Sequence, residues 1–164
     1  MGLNQKLFGA HAASGHRQRH RDVAGFSSLA QLRRTVANLR ARLEPAFGPE
    51  TATEPPVRPL SASAGQCGAV ATIVREMLGG QLVSADVDAQ SHWFNRIPVA
   101  GDVFDVDLTG DQFGLPPVQL ARGGRLYSGS RVRHLDEVDQ NTRRRAMLLA
   151  RRAGVSGDPS SDAR

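Results

Sequence analysis

Apolar positions along this chain change period twice, from helical to alternating and back. In "FSSLAQLRRTVANLRARLEPAF", residues 26–47, Leu29, Leu32, Val36, Leu39 and Leu43 recur at intervals of three and four, which marks one face of a helix. Ser27 or Ser28 is placed to cap it and Pro45 to end it. The Pro-rich connector "GPETATEPPVRPLSAS" is predicted to run extended. A second helix follows within "SAGQCGAVATIVREMLGG", where Val70, Ile73, Val74, Met77 and Leu78 form an amphipathic stripe and Gly79-Gly80 stops it.

The period then shortens to two. "QLVSADV", "SHWFNRIP" and "VFDVDLT" read as strands, the last two joined by the turn "VAGD". "GDQFG" reads as a short turn, "LPPVQLARGG" as a loop, and "LYSGSRVR" as either loop or strand. "DEVDQNTRRRAMLLARRAG" returns to the helical period, with Gly154 as its stop. The pattern predicts an α+β domain over residues 26–155, with its core motifs at 63–113. A cysteine-bearing helix packs on a small, mainly antiparallel sheet, and helices lie at both ends. Mobile tails are expected over 1–25, which is basic, and over 156–164. No internal repeat is visible.

The length of 164 residues suits one domain. No apolar run reaches the ~18–20 residues needed to cross a bilayer. The first 22 residues lack a sustained apolar segment, so no secretory leader is expected. The opening Met-Gly is followed by Lys6 where a myristoylation signal needs Ser or Thr. The expected location is cytoplasmic, without a membrane partner.

The net charge of +5 is unevenly spread: residues 1–60 and 122–164 each carry +5, and residues 61–121 carry −5. Basic flanks are compatible with an acidic partner or nucleic acid. However, the arginines are interleaved with acids, and no exposed aromatics lie among them for base stacking. Solvated surface is the favoured reading, and nucleic acid the less favoured partner.

Cys67 is the only cysteine, so neither an internal disulfide nor a cysteine-based zinc site is available. It opens the second helix, where unpaired backbone N–H groups favour a thiolate over a thiol. Three residues before Val70, it is expected to share the side of the buried stripe. Gly65 and Gly68 leave room beside it. A thiolate nucleophile needs a base, and the base needs an orienting group. His92 alone among the five histidines begins an apolar strand, and Asp107 follows 15 residues later in the next.

Alternation puts His92, Phe94 and Arg96 on one face, and Val103, Asp105 and Asp107 on another. A hairpin whose paired numbers sum to 199 sets His92 opposite Asp107 and Phe94 opposite Asp105, and the constellation requires that one register. Gln66, or the backbone N–H of Cys67, is a candidate donor to an oxyanion, and Asp105 a candidate support. Trp93, Asn95 and Arg96 are candidate substrate contacts. Plainer readings stand beside these: Cys67 as core filler, His92 as a hydrogen-bonded structural residue, Gln66 as an exposed helix end, and Asp105 and Asp107 as edge-strand surface. A metal site of His92, Asp105 and Asp107 is the weaker chemical alternative, lacking a second histidine.

The blocks "GQCGAVATIVREMLGG", "SHWFNRI" and "DVDLTGDQF" resemble the small bacterial YunG-like family over about residues 60–155. More distantly, the order cysteine, histidine, aspartate is similar to that of the papain-like and transglutaminase-like superfamily. That resemblance implies a papain-like core with Cys67 as nucleophile, His92 as base and Asp107 as orienter. The 25 residues from Cys67 to His92 are few for those enzymes, and Gln66 lies too close to the cysteine to match their oxyanion glutamine. The expected function is a thiol-dependent hydrolase or acyltransferase that needs no cofactor and acts on a small molecule or peptide. The competing expectation is a non-catalytic binding module whose arginine-rich end helices engage an acidic partner.

Overall fold

The computed structural model describes residues 25–54 and 61–155. The expected tails at residues 1–25 and 156–164 fall outside them but for Gly25, as does the middle of the Pro-rich connector. Helix α1 spans Leu29–Leu43, and Ser28 caps it by accepting the Gln31 N–H. Leu32, Val36, Leu39 and Leu43 are all buried. A 3-10 turn over Glu44–Ala46 carries Pro45, whose missing N–H is tolerated at a turn's start. The described flanks of the connector turn where extended chain was expected: Thr51 and Ala52 bond back to Gly48 and Pro49.

Helix α2 spans Cys67–Leu78 and ends at Gly79. Gly80 follows at φ +75 and runs against the Arg96 carbonyl, so a side chain there would clash. Strands β1 (Gln81–Val87), β2 (Gln90–Val99), β3 (Asp102–Asp107), β4 (Gln119–Arg122) and β5 (Arg131–Arg133) form one antiparallel sheet in the order β4-β3-β2-β1-β5. Helix α3 spans Gln140–Arg152, capped by Asp139. The protein is therefore α+β, with three helices and a five-stranded antiparallel sheet. No described helix is long and apolar enough to cross a membrane.

Helices cover one face of the sheet. Ile97, Val99, Val106 and Leu108 pack there with α1, with Val70, Ile73 and Val74 of α2, and with Ala146 and Leu149 of α3. The other face is also covered: Leu126 and Tyr127, from the chain between β4 and β5, lie over Val83, Ala85 and Phe94.

Two expectations change. The segment 115–124 is not all loop, because Gln119–Arg122 pairs with β3 as an edge strand. The β2–β3 register pairs Arg96 with Asp105 and Asn95 with Val106, a sum of 201 where 199 was expected. The reason lies in the turn. Its two central residues are Ala100 and Gly101, both at positive φ. The expected register would have put β-branched Val99 in that conformation. A two-residue shift preserves faces, so His92 and Asp107 become diagonal neighbours on one face, and Phe94 lies beside Asp107.

Candidate active site

The thiol, the imidazole and the carboxylate come together at the end of the sheet where β2 begins. They arrive from different elements. Cys67 is half-buried at the first turn of α2, where no side chain caps the helix. His92 and Asp107 each expose about 1% of their surface. Cys67 and His92 line one cavity of about 780 Å³ with Gly65, Gly68, Trp93, Gln112 and Phe113 among others. Its lining takes consecutive residues from Gln90 to Trp93, hence side chains from both faces of β2. The cavity therefore wraps the strand's start. That explains how a cysteine on the helix side reaches a histidine on the opposite face.

Asp107 is held by four hydrogen bonds. Oδ1 accepts from the backbone N–H and the hydroxyl of Thr109 at 2.8 and 2.9 Å. Oδ2 accepts from Tyr127 Oη at 2.7 Å and pairs with His92 Nε2 at 2.8 Å. This satisfies a carboxylate that would otherwise be costly to bury. The Tyr127 phenol is pushed above its ordinary range by burial and by the Asp107 charge, so it remains a donor. The imidazole is boxed by Phe113 and Tyr127, edge-on at 4.8 and 5.3 Å, and by Phe94, stacked at 6.2 Å.

Because Nε2 serves Asp107, Nδ1 is the ring nitrogen left for the thiol. It is buried with no partner of ordinary hydrogen-bond geometry among the described residues, although Cys67 stands close enough to influence the ring's titration. Burial lowers the His92 pKa. The Asp107 hydrogen bond, then contact with Cys67 and both negative charges, outweigh it and raise the value to about 9. At neutral pH the ring holds its proton between a carboxylate and a sulfur.

Other expected site residues stand elsewhere. Gln66 is buried, not an exposed helix end, and its Nε2 donates to the Gly48 carbonyl at 3.0 Å, away from the cavity lining. Asn95 faces α2 and donates to the Ala71 carbonyl at 2.9 Å, so it locks strand to helix and lies outside the cavity lining. Asp105 pairs with Arg96 at 2.7 Å and accepts from the Gly124 N–H at 2.7 Å. It thus pins the chain that carries Tyr127, and Arg96 is occupied in doing so.

The same geometry separates Asp105 from His92 and Asp107. Among the described residues no group of three metal-ligating side chains is assembled. Trp93 does line the cavity, with the Arg133 guanidinium 5.0 Å over its ring. Gly68 gives its space to Thr142 of α3, 3.1 Å from where a Cβ would stand, and Gly65, at φ +73, gives its space to the Thr53 carbonyl. Both glycines serve the chain's own packing as well as the cavity.

Sequence reasoning missed three residues: Thr109, Phe113 and Tyr127. Thr109 was legible in "DLT", because a residue two positions after an aspartate commonly bonds back to its carboxylate. Phe113 and Tyr127 arrive through tertiary packing and carry no such local signal.

Fold and site together define an α+β protein in which a helix-borne cysteine and strand-borne histidine and aspartate meet at a cavity. A family model described as YunG protein matches residues 35–154. The chain belongs to the YunG protein family. No curated protein and no solved structure matches it.

Proposed function

We propose that this protein is a thiol-dependent hydrolase or acyltransferase acting at a carbonyl or carboxamide carbon. The observation that carries the reading is the alignment of groups at one cavity. Asp107 holds His92 Nε2 at 2.8 Å, and Nδ1 is left unpartnered beside Cys67. The His92 ring faces the cysteine sulfur, and Cys67 attacks as a thiolate once its proton rests on that ring. The Sγ–C bond forms as the carbonyl electrons move to oxygen. His92 then gives its Nδ1 proton to the leaving group, and an acyl-thioester remains on Cys67. Water or an acceptor attacks that thioester while His92 takes back a proton. Asp107 keeps the ring oriented and compensates its charge throughout. These steps call on no cofactor.

The distant papain-like or transglutaminase-like relationship is part of this proposal. It is supported by the chain order Cys67, His92, Asp107. A cavity of this size admits a small molecule or the side chain of a peptide. A binding role for the arginine-rich helices has less support. Arg40 is buried against Leu108 and Asp111, Arg143 donates to the carbonyls of Leu135 and Val138, and Arg152 pairs with Glu50.

The test is to trap an acyl-enzyme from a panel of small esters and amides and weigh the intact chain. The expected result is a single acyl mass on Cys67, absent in Cys67→Ser and formed about 10³–10⁴-fold more slowly in Asp107→Asn. No adduct with any member of the panel, under conditions where the chain is folded, would sink the reading.

A further inference from the structure

The block "DVDLTGDQF" is only partly accounted for by the triad. Asp107 orients His92, Thr109 anchors Asp107, and Phe113 packs on the imidazole, which leaves Gln112 without a task. Gln112 sits in the 3-10 turn Gly110–Phe113, and that turn is fixed on both sides. Asp111 is held by Arg40 and by the Ser63 hydroxyl and N–H, and the Gln112 N–H donates to the Thr109 carbonyl at 3.2 Å. The side chain is different: Nε2 is buried and has no hydrogen-bond partner among the described residues.

A buried donor without an acceptor is destabilising, and native chains seldom keep one without use. Gln112 lines the same cavity as Cys67 and His92. Ser61 Oγ, also in that lining, and His92 Nδ1 are likewise buried and unpartnered. Three residues of one cavity lining thus each carry a buried polar atom with no partner among the described residues. Gln66 lies outside this set: its amide nitrogen is committed to Gly48, and although its Oε1 is also buried and unpartnered among the described residues, the residue is not in the cavity lining.

We propose that Gln112 is a catalytic residue whose side-chain N–H donates to the oxygen of the substrate carbonyl as that oxygen becomes an oxyanion. This rests on the thiol chemistry proposed above. In the acylation step the Cys67 thiolate bonds to the carbonyl carbon and the π electrons pass to oxygen. The Gln112 amide stabilises that negative charge with the free N–H groups at the start of α2. Collapse returns the electrons to the C=O bond and expels the leaving group. A donor fixed before the reaction needs no reorganisation when the charge develops.

Two reagents separate this role from a structural one. Acylation of Cys67 by p-nitrophenyl acetate passes through an oxyanion and releases p-nitrophenolate. Alkylation by iodoacetamide displaces iodide at a saturated carbon and forms no oxyanion. Gln112→Ala and Gln112→Met should each slow the p-nitrophenolate burst by about 10²–10³-fold, as expected for loss of one oxyanion donor. Their alkylation by iodoacetamide should stay within about two-fold of the wild type. The methionine variant keeps the side chain's length without adding a charge, so it decides the matter if the alanine variant does not fold.

An unchanged burst in the folded variants would overturn the role of Gln112 while leaving the thiol reading intact. Equal loss of burst and alkylation would also overturn it, showing a general disturbance of the thiol. A wild-type chain inert to both reagents would overturn the thiol reading, and this assignment with it.

Discussion

The two ring nitrogens of His92 meet different chemistry, and that asymmetry has a thermodynamic consequence. Nε2 faces a carboxylate fixed by four hydrogen bonds, and Nδ1 is left to the sulfur. The folded chain favours the protonated ring, whose pKa rises from 6.5 to about 9. A group raised in this way adds stability that is fully present below about pH 6.5 and is lost as pH climbs to about 9. Its size is on the order of 3 kcal/mol. Urea unfolding from pH 6 to pH 9.5 should therefore show the wild type losing stability across that window, and His92→Gln should stay nearly flat. A wild-type profile as flat as that of the variant would mean that the ring is not charged in the folded state.

Between elements, the joint that positions the site is Arg40. It projects from α1 with about 5% of its side chain exposed and donates to the Leu108 carbonyl at 2.6 Å and to Asp111 at 2.8 Å. Burial raises the pKa of Asp111. Hydrogen bonds from Arg40 and Ser63 outweigh that and lower it. Asp111 therefore contributes stability at pH above the ordinary aspartate value, lost as pH falls through its lowered pKa. Arg40→Met strands the carboxylate and the Leu108 carbonyl. The expected cost is about 2–4 kcal/mol, below that of a fully buried pair because Asp111 is partly exposed. A denaturation midpoint equal to the wild type's would contradict this role. At this scale the helices were legible because apolar spacing alone decides them. Strand β4 was not: Pro116-Pro117 and Gly123-Gly124 bracket its four residues with turn signals, and only pairing with β3 makes them a strand. The β2–β3 hairpin was recognised but shifted by two residues, since the decisive fact was which residue pair tolerates positive φ.

Across the whole molecule, the site depends on a covered sheet. The segment after β4 folds back over β1 and β2, pinned by Asp105, and delivers Tyr127 to a carboxylate 20 residues earlier in the chain. Sequence spacing singled out Cys67, His92 and Asp107, because a histidine and an aspartate on one face of adjoining strands keep that face, and here their contact, through the two-residue change of register. The same spacing did not show where Gln66 and Asn95 would turn. Neighbours in sequence turn to opposite sides of a helix start or a strand, and each found a backbone carbonyl away from the cavity. Gln112 was legible only as part of a turn. The nucleophilicity proposed for Cys67 is a product of folding, conferred through His92. It is tested most directly by the iodoacetamide alkylation rate at pH 6.5, measured on the folded chain and on the same chain unfolded in urea. The prediction is a folded rate at least about ten-fold above the unfolded one, with the excess lost in His92→Gln. A folded thiol that reacts no faster than the unfolded one would contradict it.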